Sequence, residues 1–295
     1  MTVVSNSYVE TSSRALVLRE AFESGRLVKV AGAHDGLSAR LAMEAGFDAV
    51  WASGLEISAA QGLPDVSLLG MAEYLAGATA MQQAVSIPVV ADCDTGFGGS
   101  LNAAYTMRRY EGAGVAGICI EDKIFPKRNS FLDAGQKLLE TDEFGSKLEA
   151  AKKAQARSET LLIARTEAFI CGMGVDEALR RCHQYVDAGA DAVLVHSKSA
   201  EAGEVVSFMR QWQHRAPVVI VPTTYADFSV QEAQEAGISM VIYANQGMRA
   251  SVKAVRDTWA VVLAEGSTAS VEPHIATVKD IFSLSGIDHW LGDDK

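Results

Sequence analysis

The sequence predicts an α/β protein built as a closed (β/α)8 barrel of the TIM type. Three observations carry that expectation: eight apolar runs of strand length, helical-period segments between them, and an Ala-Gly pair recurring just before a run. The runs are Leu27–Ala31, Ala49–Ala52, Pro88–Ala91, Ala116–Ile120, Leu161–Ala164, Ala192–Val195, Val218–Val221 and Met240–Tyr243. They lack polar alternation, which suits parallel strands covered on both faces. Ala45-Gly46, Ala113-Gly114, Ala188-Gly189 and Ala236-Gly237 place a glycine where a left-handed cap would end a helix before the next strand. Within one intervening segment, Leu37, Leu41 and Ala45 are spaced four apart, as one face of a helix requires. Eight such β–loop–α–Gly–β units close most simply into a barrel. A doubly wound open sheet is the competing arrangement. It wants a glycine-rich turn after its first strand, and Gly32-Ala33-His34-Asp35-Gly36 is not that fingerprint.

Beyond the eighth run, residues 246–264 and 275–285 read as two helices joined by a polar segment. The second is surplus to a minimal barrel and available to pack on a partner. Residues 1–295 are therefore read as a single barrel domain, with a polar N-terminal tail over 1–13 and a C-terminal extension with an extra helix over 265–295.

The net charge of −11 and the lack of a basic cluster argue against nucleic acid and anionic membranes as partners. Residues 1–13 have neither a charged n-region nor an apolar h-region, and no run of about 18 apolar residues occurs anywhere. A cytoplasmic protein is expected. Four cysteines, Cys93, Cys119, Cys171 and Cys182, fall singly without metal-ligand spacing, so buried reduced thiols are expected.

In a barrel, the residues after each strand's carboxyl end share one mouth, and active sites are built there. In chain order these are His34-Asp35, Ser53-Gly54, Asp92 and Asp94, Glu121-Asp122-Lys123, Arg165 with Glu167, His196-Ser197-Lys198, Thr223 and Asn245. Asp92-Cys93-Asp94 would point two carboxylates to one side of an extended segment, and Glu121 arrives from the neighbouring strand. Clustered carboxylates need a positive centre, and oxygen-only ligands suit a hard cation such as Mg²⁺. Salt bridges to Lys123, Lys127 and Arg165 are the alternative. The run Thr95-Gly96-Phe97-Gly98-Gly99 lacks the Gly-Lys-Ser/Thr ending of a P-loop, so backbone clearance beside the metal is its expected role. Trp51, inside strand two, is read as core packing with a substrate wall as the alternative.

The stretch Glu121-Asp122-Lys123-Ile124-Phe125-Pro126-Lys127-Arg128-Asn129-Ser130 resembles the E-D-K-x₅-N-S signature of the phosphoenolpyruvate mutases, within the isocitrate lyase and phosphoenolpyruvate mutase superfamily. Trp51-Ala52-Ser53-Gly54-Leu55, Asp92 to Gly98, Ala164 to Phe169 and His196-Ser197-Lys198 resemble further family blocks, in family order, over roughly residues 25 to 285. The resemblance implies a barrel whose last helix is exchanged within a homodimer or homotetramer, and a small-molecule substrate, phosphoenolpyruvate or phosphonopyruvate. It implies Mg²⁺ bound directly by Asp92, with Asp65, Asp94 and Glu121 holding metal-bound waters. It assigns the substrate carboxylate to backbone groups of Ser53, Gly54 and Leu55, with Trp51 as a wall. Lys127, Asn129 and Ser130 would ride on a gating loop, and Arg165 and His196 would complete the phosphoryl side.

Three rivals stand beside the mutase. Phosphonopyruvate hydrolases resemble a mutase with threonine at the Asn129 position, so Asn129 favours the mutase. C–C lyases of the isocitrate or methylisocitrate type carry a catalytic cysteine after strand four, and no cysteine lies between Cys119 and Cys171; an oxaloacetate hydrolase belongs to the same group of rivals. A non-enzymatic binding protein would have lost rim acids, and none is missing. One departure is Asp35, where the resemblance leads us to expect Asn.

Overall fold

The computed structural model describes residues 11–132, 135–287 and 291. Eight parallel strands close into a barrel in sequence order, β1 (Val28–Ala33), β2 (Ala49–Ala52), β3 (Val89–Asp92), β4 (Gly117–Glu121), β5 (Leu161–Thr166), β6 (Ala192–Val195), β7 (Val218–Ile220) and β8 (Met240–Tyr243). Pairing of Val28 with Met240 and of Val30 with Ile242 seals β1 to β8. The predicted barrel is thus observed, and each strand lies within two residues of its predicted ends.

Helices α1 to α9 are Thr11–Glu23, Gly36–Glu44, Gly54–Ala60, Met71–Ala84, Ser100–Gly112, Thr141–Ala154, Gly174–Asp187, Gly203–Trp212 and Val230–Glu235. The Ala-Gly pairs do what the pattern predicted. Ala45, Ala113, Ala188 and Ala236 cap α2, α5, α7 and α9, and the glycines after them sit at φ +85°, +80°, +101° and +82°. That left-handed turn is open to glycine at little steric cost.

Strand residues alternate between two packed layers. Val30, Ala49, Trp51, Val90, Cys119, Leu161, Ile163, Ala192, Leu194, Val219, Met240 and Ile242 fill the barrel interior with one another. Their sequence neighbours, such as Ile118, Ile120, Leu162 and Ala164, pack outward against α4, α5 and α6. Each fully buried aliphatic side chain contributes roughly 1.5–3 kcal/mol. A one-residue slip would move every one of them to the wrong face, so the register is strongly determined.

Four expectations need correction. The polar tail is shorter than predicted, because α1 already begins at Thr11; residues 1–10 lie outside the described part. Leu37 and Leu41 do share a face of α2, but they are about half exposed, while Ala39 and Ala42 form its buried face. Cys93, Cys119 and Cys182 are buried free thiols, whereas Cys171 is only partly buried. The two C-terminal helices are α10 (Gln246–Glu265) and α11 (Val278–Ser285), preceded by a 3₁₀ turn at Glu272–His274. The surplus α11 lies against α2 of its own chain, where the Arg40 guanidinium donates to the Leu284 carbonyl. Helix α10, the eighth of the barrel, buries none of its twenty residues and exposes Val252, Val255, Trp259 and Leu263.

Candidate active site

Period-two alternation, continued past the strand ends, builds the mouth. Stepping by two from the interior residues Val90, Cys119, Ile163 and Leu194 reaches Asp92, Glu121, Arg165 and His196, and the same step from Trp51 reaches Ser53. All five line a cavity of ≈ 50 Å³ together with Lys123, Thr223, Leu55, Asp65 and Asn245. Asp122 steps the other way. Its carboxylate accepts from the Tyr185 hydroxyl at 2.7 Å, Thr166 Oγ1 at 3.0 Å, Arg181 Nη1 at 3.2 Å and the Glu167 amide at 2.9 Å. The middle residue of the Glu-Asp-Lys signature therefore anchors α7 to the barrel instead of facing the mouth.

The loop from β4 to α6 closes the cavity. An antiparallel bridge between Lys123 and Leu138 pinches its base. Its crown brings Lys127, Asn129, Ser130 and Phe131 over the mouth. Lys127 Nζ stands 3.0 Å from Asp65 Oδ1 and 3.7 Å from Asp94 Oδ2. Asn129 Nδ2 donates to Asp65 Oδ2 at 2.9 Å. Ser67, which sequence reading missed, adds a second latch: its hydroxyl accepts from the Lys127 amide at 3.0 Å and donates to Asp94 Oδ2 at 3.0 Å. Nothing in the local sequence distinguishes Ser67, since the latch joins three loops far apart in the chain.

On the acidic half, Asp94 departs from expectation. Its φ is +53°, so the segment past Asp92 turns rather than extends, and the Asp94 amide donates to Asp92 Oδ1 at 3.1 Å. Gly54 packs close by: a Cβ on it would stand 3.1 Å from Asp92 Oδ2, a tight contact. No basic side chain pairs with Asp92 among the described residues, while Lys127 and Arg165 approach Asp65, Asp94 and Glu121. Glu121 is fully buried, its Oε1 has no hydrogen-bond partner, and burial pushes its carboxyl up to about 7. An orphaned, buried Glu121 oxygen on the same rim as Asp92, which has no salt-bridge partner among the described residues, fits a cation held there. Among the described residues no three acid, histidine or cysteine side chains converge tightly enough to coordinate one ion together.

On the opposite half the charges are already matched. Arg165 Nε donates to Glu167 Oε1 at 2.5 Å, and Arg165 Nη2 lies 2.9 Å from His196 Nδ1. Arg165 Nε is also 3.3 Å from Glu121 Oε2. Burial opposes ionisation of Glu167, yet Arg165, His196 and Lys123 outweigh it and hold that carboxyl well below its usual range. Burial lowers His196.

Other readings resolve cleanly. Trp51 packs in the interior layer, as the core reading expects, and one edge of it lines the cavity. Ser53 caps α3, accepting from the Glu56 amide, and its own amide is spent on the Ala33 carbonyl at 3.0 Å. This leaves the Gly54 and Leu55 amides, without intrahelical acceptors, as the donors at that helix end. Gly98 makes room for helix capping: a Cβ there would meet Asn102 Oδ1 at 2.5 Å, the oxygen that accepts from the Gly99 amide. The expected clearance beside the metal is thus clearance for the start of α5. Asp35 caps α2 in a reciprocal box with Ser38 and lies outside the cavity lining.

A family model described as phosphoenolpyruvate phosphomutase matches residues 18–263. The chain belongs to the phosphoenolpyruvate phosphomutase family. It is 41% identical over 290 residues to phosphoenolpyruvate phosphomutase of Tetrahymena pyriformis, covering 98% of this chain and 97% of that protein. It is 42% identical over 273 residues to phosphonopyruvate hydrolase of Variovorax sp., covering 91% and 93%. A solved phosphoenolpyruvate phosphomutase from Streptomyces platensis subsp. rosaceus superposes with a TM-score of 0.92 at 50% identity, covering 94% of this chain and 96% of that one. A phosphonopyruvate hydrolase solved with oxalate and Mg²⁺ superposes at 0.89 with 39% identity, covering 94% and 96%. Membership in this family makes the chain an enzyme, and no helix among the described residues is long and apolar enough to cross a membrane.

Proposed function

We infer that this chain is a phosphoenolpyruvate mutase, moving a phosphoryl group within one molecule between the enol oxygen of phosphoenolpyruvate and the methyl carbon of phosphonopyruvate. One observation carries the choice over the hydrolase. Asn129 is seated at the mouth with Nδ2 on Asp65 and Oδ1 accepting from the Phe131 amide at 3.0 Å. A threonine, branched at Cβ and one atom shorter, could not span both contacts. Identity of 50% to the solved mutase against 39% to the solved hydrolase points the same way. The loop offers no cysteine for lyase chemistry.

The amides of Gly54 and Leu55 receive the substrate carboxylate, with Trp51 and Leu55 flanking it. Arg165, His196, Ser130 and Asn129 face the phosphoryl oxygens, and Lys127, held between Asp65 and Asp94, adds positive charge beneath the loop. The P–O bond breaks with its electron pair going to oxygen, leaving a metaphosphate-like group held by these donors. The enolate turns, and its carbon supplies the pair that forms the P–C bond. Asp92, with Asp65, Asp94 and Glu121, would hold Mg²⁺, whose positive charge would stabilise the enolate oxygen. The seated loop keeps out water, which would otherwise capture the phosphoryl group.

The eighth helix supports the expected homodimer or homotetramer. With no residue buried and a stripe of Val252, Val255, Trp259 and Leu263 exposed, α10 fits exchange with a second copy. The deciding experiment is ³¹P NMR started from phosphonopyruvate with Mg²⁺, since phosphoenolpyruvate is the favoured side. Its appearance is the expected result. Pyruvate with inorganic phosphate instead would establish the hydrolase, and no turnover at all would leave a binding protein.

A further inference from the structure

Glu167 does not itself line the cavity, yet it holds four of the residues that do. It is fully buried. Its Oε2 accepts from the Ser130 hydroxyl at 2.5 Å and pairs with Lys123 Nζ at 3.0 Å. Lys123 Nζ also donates to Ser130 Oγ at 2.6 Å and to the Arg128 carbonyl at 2.9 Å. Its Oε1 accepts from Arg165 Nε at 2.5 Å and lies 2.7 Å from His196 Nδ1. One carboxylate oxygen is therefore occupied by the loop and its lysine strut, and the other by the two barrel residues that face the phosphoryl group.

We propose that Glu167 is a positioning residue that couples seating of the β4–α6 loop to alignment of Arg165 and His196. The proposal rests on the mutase reading for what those two residues hold, but not for the coupling itself. When the loop lifts, Ser130 leaves Oε2 and Lys123 loses Arg128 and Ser130 with it. The carboxylate, its backbone held by the Glu167 amide on Asp122 at 2.9 Å, is then free to rotate and to release the Arg165 guanidinium from its aim. Seating the loop restores all four contacts at once, so the phosphoryl-side donors converge only when water is excluded. Charge-assisted hydrogen bonds of this kind are the strong ones in a buried site. Two direct contacts bypass Glu167, Arg165 Nη2 to Ser130 Oγ at 3.4 Å and the edge of Phe131 against the His196 ring at 6.0 Å between centroids. Any test has to separate those routes from the carboxylate.

Glu167→Gln keeps the shape and both direct contacts while removing the charge. Limited trypsin digestion reads the loop, because Arg128 and Lys137 are exposed on it. Oxalate with Mg²⁺ is expected to slow cleavage of the parent enzyme, and Glu167→Gln is expected to lose about ten-fold of that protection, the worth of one charged hydrogen bond. Calorimetry should still register oxalate. Parent-like protection in Glu167→Gln would overturn the proposal and assign the coupling to the direct contacts. Should circular dichroism show Glu167→Gln misfolded, Glu167→Asp keeps the charge and both direct contacts but is one methylene too short to bridge the loop and the barrel. In the parent, the His196 ring signals in NMR should move on adding oxalate with Mg²⁺; in Glu167→Asp most of that movement should vanish, and an undiminished response would overturn the proposal. Neither readout needs turnover, so failure of the mutase reading and failure of the coupling are told apart.

Discussion

The two halves of the mouth carry similar buried charge and treat it in opposite ways. Around Asp92 and Glu121 the acids are under-partnered: Asp92 has no cationic partner among the described residues, and Glu121 leaves one oxygen without a hydrogen bond. Around Glu167, three donors and the His196 ring crowd two oxygens. An unsatisfied buried acceptor costs about 1–3 kcal/mol, and a chain keeps such a group where a ligand will supply the partner. The acidic half is built to receive a cation, while the Glu167 half spends its acid holding cations in place for an incoming anion. The difference divides the labour of a dissociative phosphoryl transfer, with charge withdrawal on one side and oxygen binding on the other.

The comparison breaks most sharply at Asp92. Asp92→Ala should lower Mg²⁺-dependent turnover about a thousand-fold, roughly 4 kcal/mol in the barrier. Steady-state kinetics across a Mg²⁺ titration checks it, and activity near the parent's would remove Asp92 from the metal site. Next in size is Asn129→Thr, which acts on the lid that joins the halves. The ratio of phosphate release to isomerisation should rise by about ten-fold, since water gains access to the phosphoryl group. An unchanged ratio in ³¹P NMR would take away the reason for preferring Asn129 as the discriminating residue.

Much of this was legible before any coordinates. The Ala-Gly pairs and unalternated apolar runs are local signals, and they located all eight strands. The metal-side acids were legible because they follow strand ends directly. What could not be read was anything made by a turn or a crossing: the left-handed Asp94, the Ser67 latch, and the convergence of Lys123, Ser130, Arg165 and His196 on Glu167. Apart from Arg165, two residues from Glu167, those contacts join positions 27 to 60 residues apart, and no periodicity records them. Asp122 is different, because strand parity already separated it from Glu121; the motif drew attention away from the alternation. Helix α10 shows a further kind of gap, since amphipathic spacing reveals a helix without saying which chain covers its apolar stripe.

Asp122 supplies the next smaller effect, on stability. Asp122→Ala leaves the Arg181 guanidinium, only 4% exposed, without its carboxylate acceptor and frees the Tyr185 hydroxyl. A loss of about 3 kcal/mol is expected, near the low end for breaking a buried pair, because Glu177 still holds Arg181 Nε at 2.8 Å. Thermal denaturation should show a Tm lower by roughly 6–12 °C for a chain of this size. Turnover per folded molecule should fall far less than in Asp92→Ala. A Tm within about a degree of the parent's would mean that Asp122 contributes nothing net to the packing of α7.

The smallest effect sharpens the comparison at its edge, where an acid is met by a titratable partner rather than a fixed one. Glu56, buried on α3, accepts from the His34 ring at 2.9 Å and keeps its other oxygen unpartnered. That hydrogen bond, opposed by partial burial, raises His34 above its ordinary value of 6.5. The folded state thus binds the proton more tightly than the unfolded chain. The stabilisation is present in full below pH 6.5, and it is lost as the pH climbs through the raised native value. Measuring Tm across neutral to mildly alkaline pH should reveal a decline that His34→Gln flattens. Because the ring is only partly buried and solvent screens the interaction, the amplitude should be the least of the effects considered. Parallel curves for the two proteins would mean that Glu56 holds α3 without help from the imidazolium.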